Sequence, residues 1–336
     1  MSRYAEVHTP EHRKGAGDAR PTGLQIIQDE KREADLVGKV VIVTGTSSGI
    51  GVPTVEAMAA TGATVYCTAR DLDRAKTALG ALLDWDKVHL LKMDLTSLAS
   101  VKAFADEFKK RESKLNILIN NAGVMALPTR QTTSDGFEMQ IGTNHFAHFY
   151  LFCLLRDHLL AGATPEFNSR VVNLSSSGHR VSTVQLDDIN LEKGYERWKA
   201  YGNSKTANIW MANQITRLYG SKGIQGYSVH PGGIETPLQK YTPEIMEFAR
   251  GDDFTVKYMK STAQGCSTTI FAAVARELEG KGGVFLEDCQ IAPPVSEGTT
   301  FEGYGQLAFG HEKWAYDPEG EEKLWKLSLE KVGLSE

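Results

Sequence analysis

Tyr201 and Lys205 have the residue types and the spacing of an acid/base pair, in the sequence Tyr201-Gly-Asn-Ser-Lys205. One helical turn separates the two positions, so a phenol and an ammonium group would share one face of a helix. A neighbouring ammonium group favours the phenolate, and the spacing therefore predicts that Lys205 lowers the pKa of the Tyr201 phenol. A phenol tuned in this way can donate and accept a proton near neutral pH.

Tyr195 and Lys199 have the same spacing, and about one such match is expected by chance in a chain of this size. We prefer Tyr201 because the small residues beside it leave room for a ligand and because a long amphipathic pattern follows it. Tyr195 lies in a charged, glycine-preceded segment that is typical of a loop. We interpret Tyr195 and Trp198 as part of the wall of a substrate pocket.

A glycine-rich turn, Thr44-Gly-Thr-Ser-Ser-Gly-Ile-Gly51, follows the apolar run 40–43 and precedes a helical pattern that has a proline in its first turn. Glycines allow a tight turn and let backbone N–H groups approach a pyrophosphate, which the helix N-terminus also attracts. The order strand, turn, helix predicts a dinucleotide site that includes Gly45, Ser47, Ser48, Gly49, Ile50 and Gly51. The same string contains the G-x-S-x-G of a hydrolase elbow, but Gly51 and the later strand-end motifs favour a nucleotide.

Arg70 closes the second predicted strand, where an NAD-binding fold usually offers a carboxylate to the adenosine ribose. Its planar, permanently charged group suits a 2′-phosphate, so the sequence predicts NADP(H) rather than NAD. The alternative is a surface arginine paired with Asp71 or Asp73.

Two further motifs follow predicted strands. Asn120-Asn121-Ala122-Gly123 places amide and small groups where they could meet the cofactor, although alone it could be a simple turn. Ser175-Ser176-Ser177 offers hydroxyl groups that could polarise a carbonyl oxygen, and chemistry alone does not separate the three.

His145 and His148 lie one turn apart but lack the H-E-x-x-H pattern of a zinc protease, and a pair of histidines leaves a zinc site short of ligands. We therefore expect packing or interface roles for them and no metal site.

These groups need a scaffold in which strands end at one edge. Seven runs rich in β-branched residues predict strands at 40–43, 64–67, 88–92, 115–119, 170–174, 223–229 and 283–286. Helical patterns between them lie at 52–61, 98–110, 136–160 and 205–219. This alternation predicts an α/β fold, a doubly wound (Rossmann) seven-stranded parallel sheet in a single domain, with the ligand beyond the strand ends.

The remaining segments are assigned around that domain of residues 37–336. Residues 1–36 read as an N-terminal extension with a weak helical pattern at 24–33, residues 235–260 as a helical substrate lid, and residues 318–332 as a C-terminal amphipathic helix.

The composition disfavours several classes of function. A net charge of −5 among 336 residues and a pI near 6.0 give no basic field for nucleic acid. The four cysteines are widely spaced, the first 36 residues lack the apolar core of a secretory signal, and no run is long enough to span a membrane. We expect a cytoplasmic protein that acts on a small molecule.

Taken together, the motifs resemble the short-chain dehydrogenase/reductase family over residues 38–333. The family pattern T-G-x-x-x-G-x-G is matched by Thr44, Gly45, Gly49 and Gly51, its D-L by Asp94-Leu95, its N-N-A-G by Asn120 to Gly123, and its Y-x-x-x-K by Tyr201 and Lys205. The segments 143–149 and 316–329 resemble the retinol-dehydrogenase-like branch, which includes fungal alcohol dehydrogenases.

The resemblance implies a catalytic tetrad of Asn144, Ser176, Tyr201 and Lys205. By it, Tyr201 passes the proton, Ser176 orients the substrate oxygen, Lys205 also holds the nicotinamide ribose, and Asn144 supports a water-linked proton relay. It further implies that Pro231-Gly232-Gly233-Ile234, with Thr236, forms the loop beside the nicotinamide amide. Homo-oligomers are usual in this family, which is an analogy only.

The sequence therefore predicts an NADP(H)-dependent oxidoreductase that interconverts a ketone or aldehyde and an alcohol. A hydrophobic, polycyclic or polyketide-like substrate of secondary metabolism is the hypothesis that follows from the candidate pocket residues Met125, Leu127, Tyr195, Trp198, Tyr241 and Phe248. One alternative is an epimerase or dehydratase on the same fold, which the glycine spacing disfavours. The other is an NADP-sensing protein without turnover, which the intact tetrad disfavours.

Overall fold

The computed structural model of the chain describes residues 3–300, 305 and 307–335. These residues form one sheet whose strands run in the order β3-β2-β1-β4-β5-β6-β7-β8. The strands are β1 Val40–Thr44, β2 Thr64–Ala69, β3 Val88–Lys92, β4 Ile117–Asn120, β5 Ser169–Leu174, β6 Ile224–His230, β7 Val284–Glu287 and β8 Gln290–Ile291. Strands β1 to β7 pair in parallel, and the order reverses between β1 and β4, which is the switch point of a doubly wound sheet.

The eighth strand is the one element of the sheet that the sequence did not predict. It pairs with β7 in antiparallel fashion through a two-residue turn, Asp288 and Cys289, whose φ angles are 52° and 56°. Positive φ at both central residues is the geometry of a type I′ hairpin. A strand of two residues carries no alternating pattern, and Asp-Cys is not the usual Asn-Gly signal, so no local pattern predicts this strand.

Helices cover both faces of the sheet. They are α1 Gly23–Asp29, α2 Gly51–Ala60, α3 Leu72–Leu79, α4 Leu98–Arg111, α5 Met139–Ile141, α6 Ala147–Gly162, α7 Arg197–Tyr219, α8 Pro243–Gly251, α9 Asp253–Tyr258, α10 Thr262–Gly265, α11 Ser267–Val274 and α12 Pro318–Lys331. Alternate residues of β1 enter opposite cores: Val41 and Val43 face the core that includes α2 and α11, whereas Val40 and Ile42 face the core that includes α4, α6 and α7. Continuous burial on both faces explains the unbroken apolar strand.

The helix predicted at 136–160 is interrupted in the structure. A turn ends at Gly136, α5 begins after Glu138, and the π-helical turn Gly142–Phe146 joins α5 to α6. The Glu138 carboxylate caps α5 by accepting hydrogen bonds from the backbone N–H groups of Gln140 and Ile141, at 2.9 Å each. A single π turn of this kind often marks a functional position in a helix, and this one contains Asn144.

The segment before β1 packs on the body of the protein. Helix α1 lies against α11 and α2, and Ile26, Ile27 and Leu36 are buried in the core on that face. The region predicted as a lid, residues 235–260, contains the 3₁₀ turn Pro237–Tyr241 followed by α8 and α9. Among the described residues, no helix combines the length and the apolar character that a membrane crossing would need.

Candidate active site

Helix α7 carries both Tyr201 and Lys205 because it begins at Arg197, earlier than the predicted start at residue 205. The Glu196 carboxylate caps this helix by accepting hydrogen bonds from the backbone N–H groups of Trp198 and Lys199, at 2.9 and 2.6 Å. Tyr195 precedes this cap, so it does not share a helical face with Lys199. Of the two pairs with the same spacing, only Tyr201 and Lys205 lie on one helix.

Burial dominates the electrostatics of this pair. The Lys205 Nζ donates a hydrogen bond to the Leu174 carbonyl oxygen at 3.0 Å and lies 5.5 Å from the centre of the Tyr201 ring. Burial lowers the pKa of Lys205 to about 8 and raises the pKa of Tyr201 to about 12, although a hydrogen bond with Ser176 acts to lower the latter. The pKa of Tyr201 is therefore raised and not lowered as predicted. The cost of burying the phenolate exceeds any stabilisation of its charge by the nearby Lys205 ammonium group.

The three adjacent serines have different environments. The Ser175 hydroxyl donates to the Lys205 carbonyl oxygen at 2.8 Å and so ties β5 to α7. The Ser176 hydroxyl accepts from the Gly178 N–H at 3.0 Å and also reaches the Tyr201 hydroxyl. A Cβ at Gly178 would lie 2.7 Å from the Tyr201 ring, so glycine lets this loop contact the phenol closely. Ser176 is thus the serine that meets Tyr201.

The Asn144 side chain is fully buried and joins two elements of the site. Its Oδ1 accepts from the Val124 N–H at 2.8 Å, while its Nδ2 donates to the Val124 carbonyl oxygen at 3.0 Å and to the Ser204 Oγ at 2.9 Å. These contacts hold the segment after β4 against α7. The contact on α7 is Ser204, which lies between Tyr201 and Lys205 in the sequence. The proton-relay role implied by resemblance stays a prediction.

The glycine loop and the segment after β4 pack too closely for side chains. A Cβ at Gly45 would lie 2.7 Å from the Ala122 Cβ, and one at Gly51 would lie 2.2 Å from the Gly45 carbonyl oxygen. Gly49 has a φ of +63°, in the left-handed region that glycine tolerates. The Asn121 Nδ2 donates to the Thr44 and Gly45 carbonyl oxygens at 2.8 and 3.1 Å. The resulting bare backbone at the start of α2 fits the pyrophosphate of a dinucleotide.

One cavity of about 420 Å³ collects most of the predicted cofactor residues. Its lining includes Gly45, Ser47, Ser48, Gly49, Ile50, Gly51, Arg70, Asn121, Ala122, Gly123, Tyr201, Lys205, Pro231, Gly232, Gly233, Ile234 and Thr236, together with Ser176 and Met125. A second cavity of about 270 Å³ continues past Arg70 and contains the other two predicted residues, Asp94 and Leu95. The two cavities share Gly45 and Ser47 of the glycine loop as well as Arg70 and Arg74, and together they are called the groove below.

Arg70 is exposed at the rim of this groove, and Arg74 on α3 lines both cavities beside it. Asp71 caps α3 by accepting the Arg74 N–H at 3.0 Å, and Asp73 pairs with Lys76 at 3.2 Å. Within the described residues no ion pair joins Arg70 to either acid, which removes the pairing suggested as the alternative. The two guanidinium groups fit a 2′-phosphate.

Only some of the residues predicted to form the wall of the substrate pocket lie at the cavity. Met125 lines the cavity, and Trp198 contacts the Tyr201 ring edge-on with centroids 6.2 Å apart. The Tyr195 hydroxyl instead donates to the Leu127 carbonyl oxygen at 2.8 Å, and Tyr241 lies beneath the Lys240 ammonium group. The described lining of the cavity contains none of Leu127, Tyr195, Tyr241 and Phe248, and Phe248 is 56% exposed.

Several residues of the cavity were missed by sequence reasoning: Arg74, His230, Leu238, Tyr258 and Leu307. Arg74 could have been found, because it lies in the first turn of the helix that follows Arg70. The others carry no local signal, since chain segments distant in sequence bring them to the cavity.

The His145 and His148 side chains are buried and hydrogen-bonded to groups of the interior. The His145 Nε2 is 2.9 Å from the Ser328 Oγ of α12, and His148 bridges Thr44 and Asn144. Burial lowers the pKa of His148 to about 4, so its imidazole is neutral at pH 7.

A doubly wound sheet with a bare glycine turn at its switch point, and a buried Tyr/Lys pair beside it, defines a dinucleotide-dependent oxidoreductase. The chain belongs to the short-chain dehydrogenase/reductase family: the family model for short chain dehydrogenases matches residues 39–246. Members of this family are enzymes that act on CH–OH donors with nicotinamide cofactors.

Similar proteins support the branch as well as the family. The chain is 52% identical to the short-chain dehydrogenase/reductase prx1 of Penicillium roqueforti over 96% of its length and 93% of the relative's. It is 35% identical to retinol dehydrogenase 11 of Mus musculus, over 89% of this chain and 88% of that one. A crystal structure of an uncharacterised protein from Mycobacterium paratuberculosis superposes with a TM-score of 0.65 at 29% identity, covering 89% and 95% of the two chains. The predicted retinol-dehydrogenase-like branch is confirmed.

Proposed function

We propose that this protein is an NADP(H)-dependent oxidoreductase that interconverts a ketone or aldehyde and an alcohol on a hydrophobic small molecule. The observation that carries the proposal is the convergence of Tyr201, Lys205 and Ser176 on the cavity that the glycine loop also lines. Acid/base groups and a phosphate-binding turn have to share one cavity if a proton and a hydride are to reach the same substrate.

Each of these side chains has a role that follows from its contacts. When bound, a nicotinamide supplies or accepts the hydride. In reduction the Tyr201 phenol donates its proton to the substrate oxygen, and in oxidation the phenolate accepts it. Ser176, which already contacts the Tyr201 hydroxyl, is placed to donate a second hydrogen bond to the substrate oxygen. The Lys205 ammonium group stabilises negative charge on the phenolate.

The preference for NADP(H) is supported by Arg70 and Arg74 at the end of the groove that Asp94 and Leu95 line. Two fixed positive charges favour a 2′-phosphate over a bare ribose hydroxyl. Asp94, the predicted cofactor-binding carboxylate of this cavity, is engaged internally, since its Oδ1 accepts from the backbone N–H and the hydroxyl of Thr96 at 2.9 and 2.8 Å.

A hydrophobic substrate is supported by the other end of the cavity. Met125 and Tyr201 form an apolar cluster against which Trp198 and Leu238 pack, and Leu307 lines the cavity as well. Apolar walls with a few convergent polar groups are typical of small-molecule sites. The name of the mouse relative refers to retinol, an apolar alcohol.

The proposal is tested by titrating the purified protein with NADPH and with NADH while nicotinamide fluorescence is recorded. Tight and selective binding of NADPH is expected, and carbonyl substrates are then screened for NADPH oxidation. Failure of both nucleotides to bind would refute the site. Turnover confined to small hydrophilic carbonyls would refute the hydrophobic substrate but leave the cofactor assignment standing.

A further inference from the structure

The segment before β1 contacts the part of the site that lies opposite the adenosine end. We propose that Arg13 and Arg20 of this segment are positioning residues for the Pro231–Gly233 loop, which lines the cavity next to Tyr201 and Lys205. This inference rests on the proposed function, because it assigns the loop to the nicotinamide half of the cofactor. It gives residues 3–36 a role in the reaction beyond packing.

Arg20 fixes the end of the lid. Its guanidinium group donates to three consecutive carbonyl oxygens at the end of α9, those of Lys257, Tyr258 and Met259, at 3.3, 2.7 and 2.6 Å. The Asp18 carboxylate holds the same group at 2.8 Å, and Arg20 is only 2% exposed. A cation that satisfies the last carbonyl groups of a helix determines where that helix ends and in which direction the chain leaves it.

The chain that leaves α9 supports the loop directly. The Lys260 N–H donates to the Gly233 carbonyl oxygen at 2.8 Å. Gly232 has a φ of +101°, and a Cβ there would lie 3.0 Å from the Cδ, Cε and Nζ of Lys260. A Cβ at Gly233 would lie 2.9 Å from the Tyr258 ring. The backbone of the loop therefore lies on the Tyr258 and Lys260 side chains, and a shift of either moves the loop.

Arg13 contacts the Tyr258 ring and the carboxylate that holds Lys260 in place. The Lys260 Nζ is 2.6 Å from Asp288 Oδ1, and the Arg13 Nη2 is 3.3 Å from Asp288 Oδ2. The Arg13 guanidinium carbon also lies 5.0 Å from the centre of the Tyr258 ring. The side chains of Arg13, Asp288 and Lys260 are 10%, 6% and 3% exposed, so the ions are shielded from water. Removing one member of a buried ion cluster leaves the others without compensation and forces a rearrangement.

The adenosine end of the groove is built differently. Its residues, Arg70, Arg74, Asp94 and Leu95, lie on or after β2 and β3, at the opposite side of the switch point from β6 and β7. None of the described contacts of Arg13 or Arg20 reaches them. A change at Arg13 should therefore affect the nicotinamide half of the cofactor and spare the adenosine half.

The test compares two ligands on four proteins: wild type, Arg13→Gln, Arg13→Lys, and Arg3→Gln as a matched control. Arg3 lies on the same segment, its side chain is 52% exposed, and it pairs with Glu30. NADPH and adenosine 2′,5′-bisphosphate, which carries only the adenosine half, are titrated by calorimetry. For Arg13→Gln we expect weaker NADPH binding and a lower kcat, each by about tenfold or more, with unchanged binding of the bisphosphate. Arg3→Gln should match wild type, and Arg13→Lys should recover most of the loss.

A second variant, Asp288→Asn, disrupts the same ion cluster by changing its carboxylate, and it is used if Arg13→Gln does not fold. Asn tolerates the left-handed backbone at this position, and the substitution removes the charge that both Arg13 and Lys260 contact. The same selective loss of NADPH binding is expected. Equal weakening of both ligands, or no change in NADPH binding and kcat, would overturn the inference. If wild type itself binds no NADPH, the proposed function fails first, and the comparison shows this directly.

Discussion

The Lys205 ammonium group donates a hydrogen bond to the Leu174 carbonyl oxygen across 3.0 Å. This bond joins the middle of α7 to the end of β5, just before the serine triplet in which Ser176 meets Tyr201. It also leaves the ammonium group in a site where burial lowers its pKa to about 8. The link between helix and strand therefore has a consequence for the pH dependence of the reaction.

We expect the NADPH-dependent reduction rate to fall as pH rises through about 8. Below this pH the Lys205 ammonium group is protonated and stabilises the phenolate that forms as Tyr201 gives up its proton; above it this charge is lost. Burial keeps the pKa of Tyr201 near 12, so the phenol retains its proton across the same range. The measurement is kcat/KM against pH in buffers of constant ionic strength. A profile that stays flat from about pH 6 to about pH 10 would contradict the assignment of Lys205.

Tyr201→Phe should abolish most turnover without preventing cofactor binding. Loss of a positioned acid/base group lowers rates by about 100-fold to 10,000-fold, whereas the ring that packs near Trp198 is retained. The matched control is Tyr195→Phe, since Tyr195 has the same spacing to a lysine and loses one hydroxyl. Single-turnover rates and NADPH affinity are measured for both variants. Full activity of Tyr201→Phe would revive the alternative of a sensing protein without turnover.

Arg70→Ala should weaken NADPH binding far more than NADH binding. A charge-assisted hydrogen bond contributes about 1.5–3 kcal/mol, so a loss on the order of tenfold to a hundredfold is expected for NADPH. Arg74→Ala should act in the same direction, because Arg74 lines the same end of the groove. Lys76→Ala, on the same helix but paired with Asp73, serves as the control. Equal losses for the two nucleotides would remove Arg70 from the 2′-phosphate.

The sheet and the position of the cofactor groove could be predicted because their signals are local. Buried parallel strands are continuous apolar runs, and the glycine turn lies directly between β1 and α2. The separate environments of Ser175, Ser176 and Ser177 could not be predicted, since only the packing of α7 and β6 against β5 distinguishes them. The same is true of the Tyr201 pKa, which depends on burial by segments far away in the chain.

The contacts that Arg13 and Arg20 of the segment before β1 make with the body of the protein could not be predicted from the sequence either. Arg13 and Arg20 look like ordinary charges in a polar stretch, yet Arg20 is buried, Arg13 is largely shielded from water, and both contact residues more than two hundred positions later. Pairings at such sequence separation leave no periodic pattern. Pocket residues are hard to predict for a related reason, because an aromatic side chain in a segment near the site, such as Phe248, can face solvent.

His148 links three parts of the site through hydrogen bonds whose direction is fixed. Its Nδ1 is 3.0 Å from the Asn144 carbonyl oxygen, which only accepts, so Nδ1 carries the proton. Its Nε2, 2.9 Å from the Thr44 Oγ1, must then accept the hydroxyl proton. This leaves the Thr44 oxygen to accept the N–H groups of Asn121 and Ala122, at 2.9 and 3.0 Å. The imidazole thus connects β1, the segment after β4 and the π turn.

His148→Phe should destabilise the protein by about 2–6 kcal/mol, because the Thr44 hydroxyl and the Asn144 carbonyl oxygen each lose a buried hydrogen bond at about 1–3 kcal/mol. The free energy of unfolding is measured in urea at pH 7, where the native imidazole is neutral. His145→Phe is the control: its Nε2 is 2.9 Å from the Ser328 Oγ and Asn208 also hydrogen-bonds to its side chain, but none of its described hydrogen bonds reaches β1 or the segment after β4, so a smaller loss is expected. If both variants lose the same stability, the fixed orientation of the His148 hydrogen bonds is not what holds these three elements together.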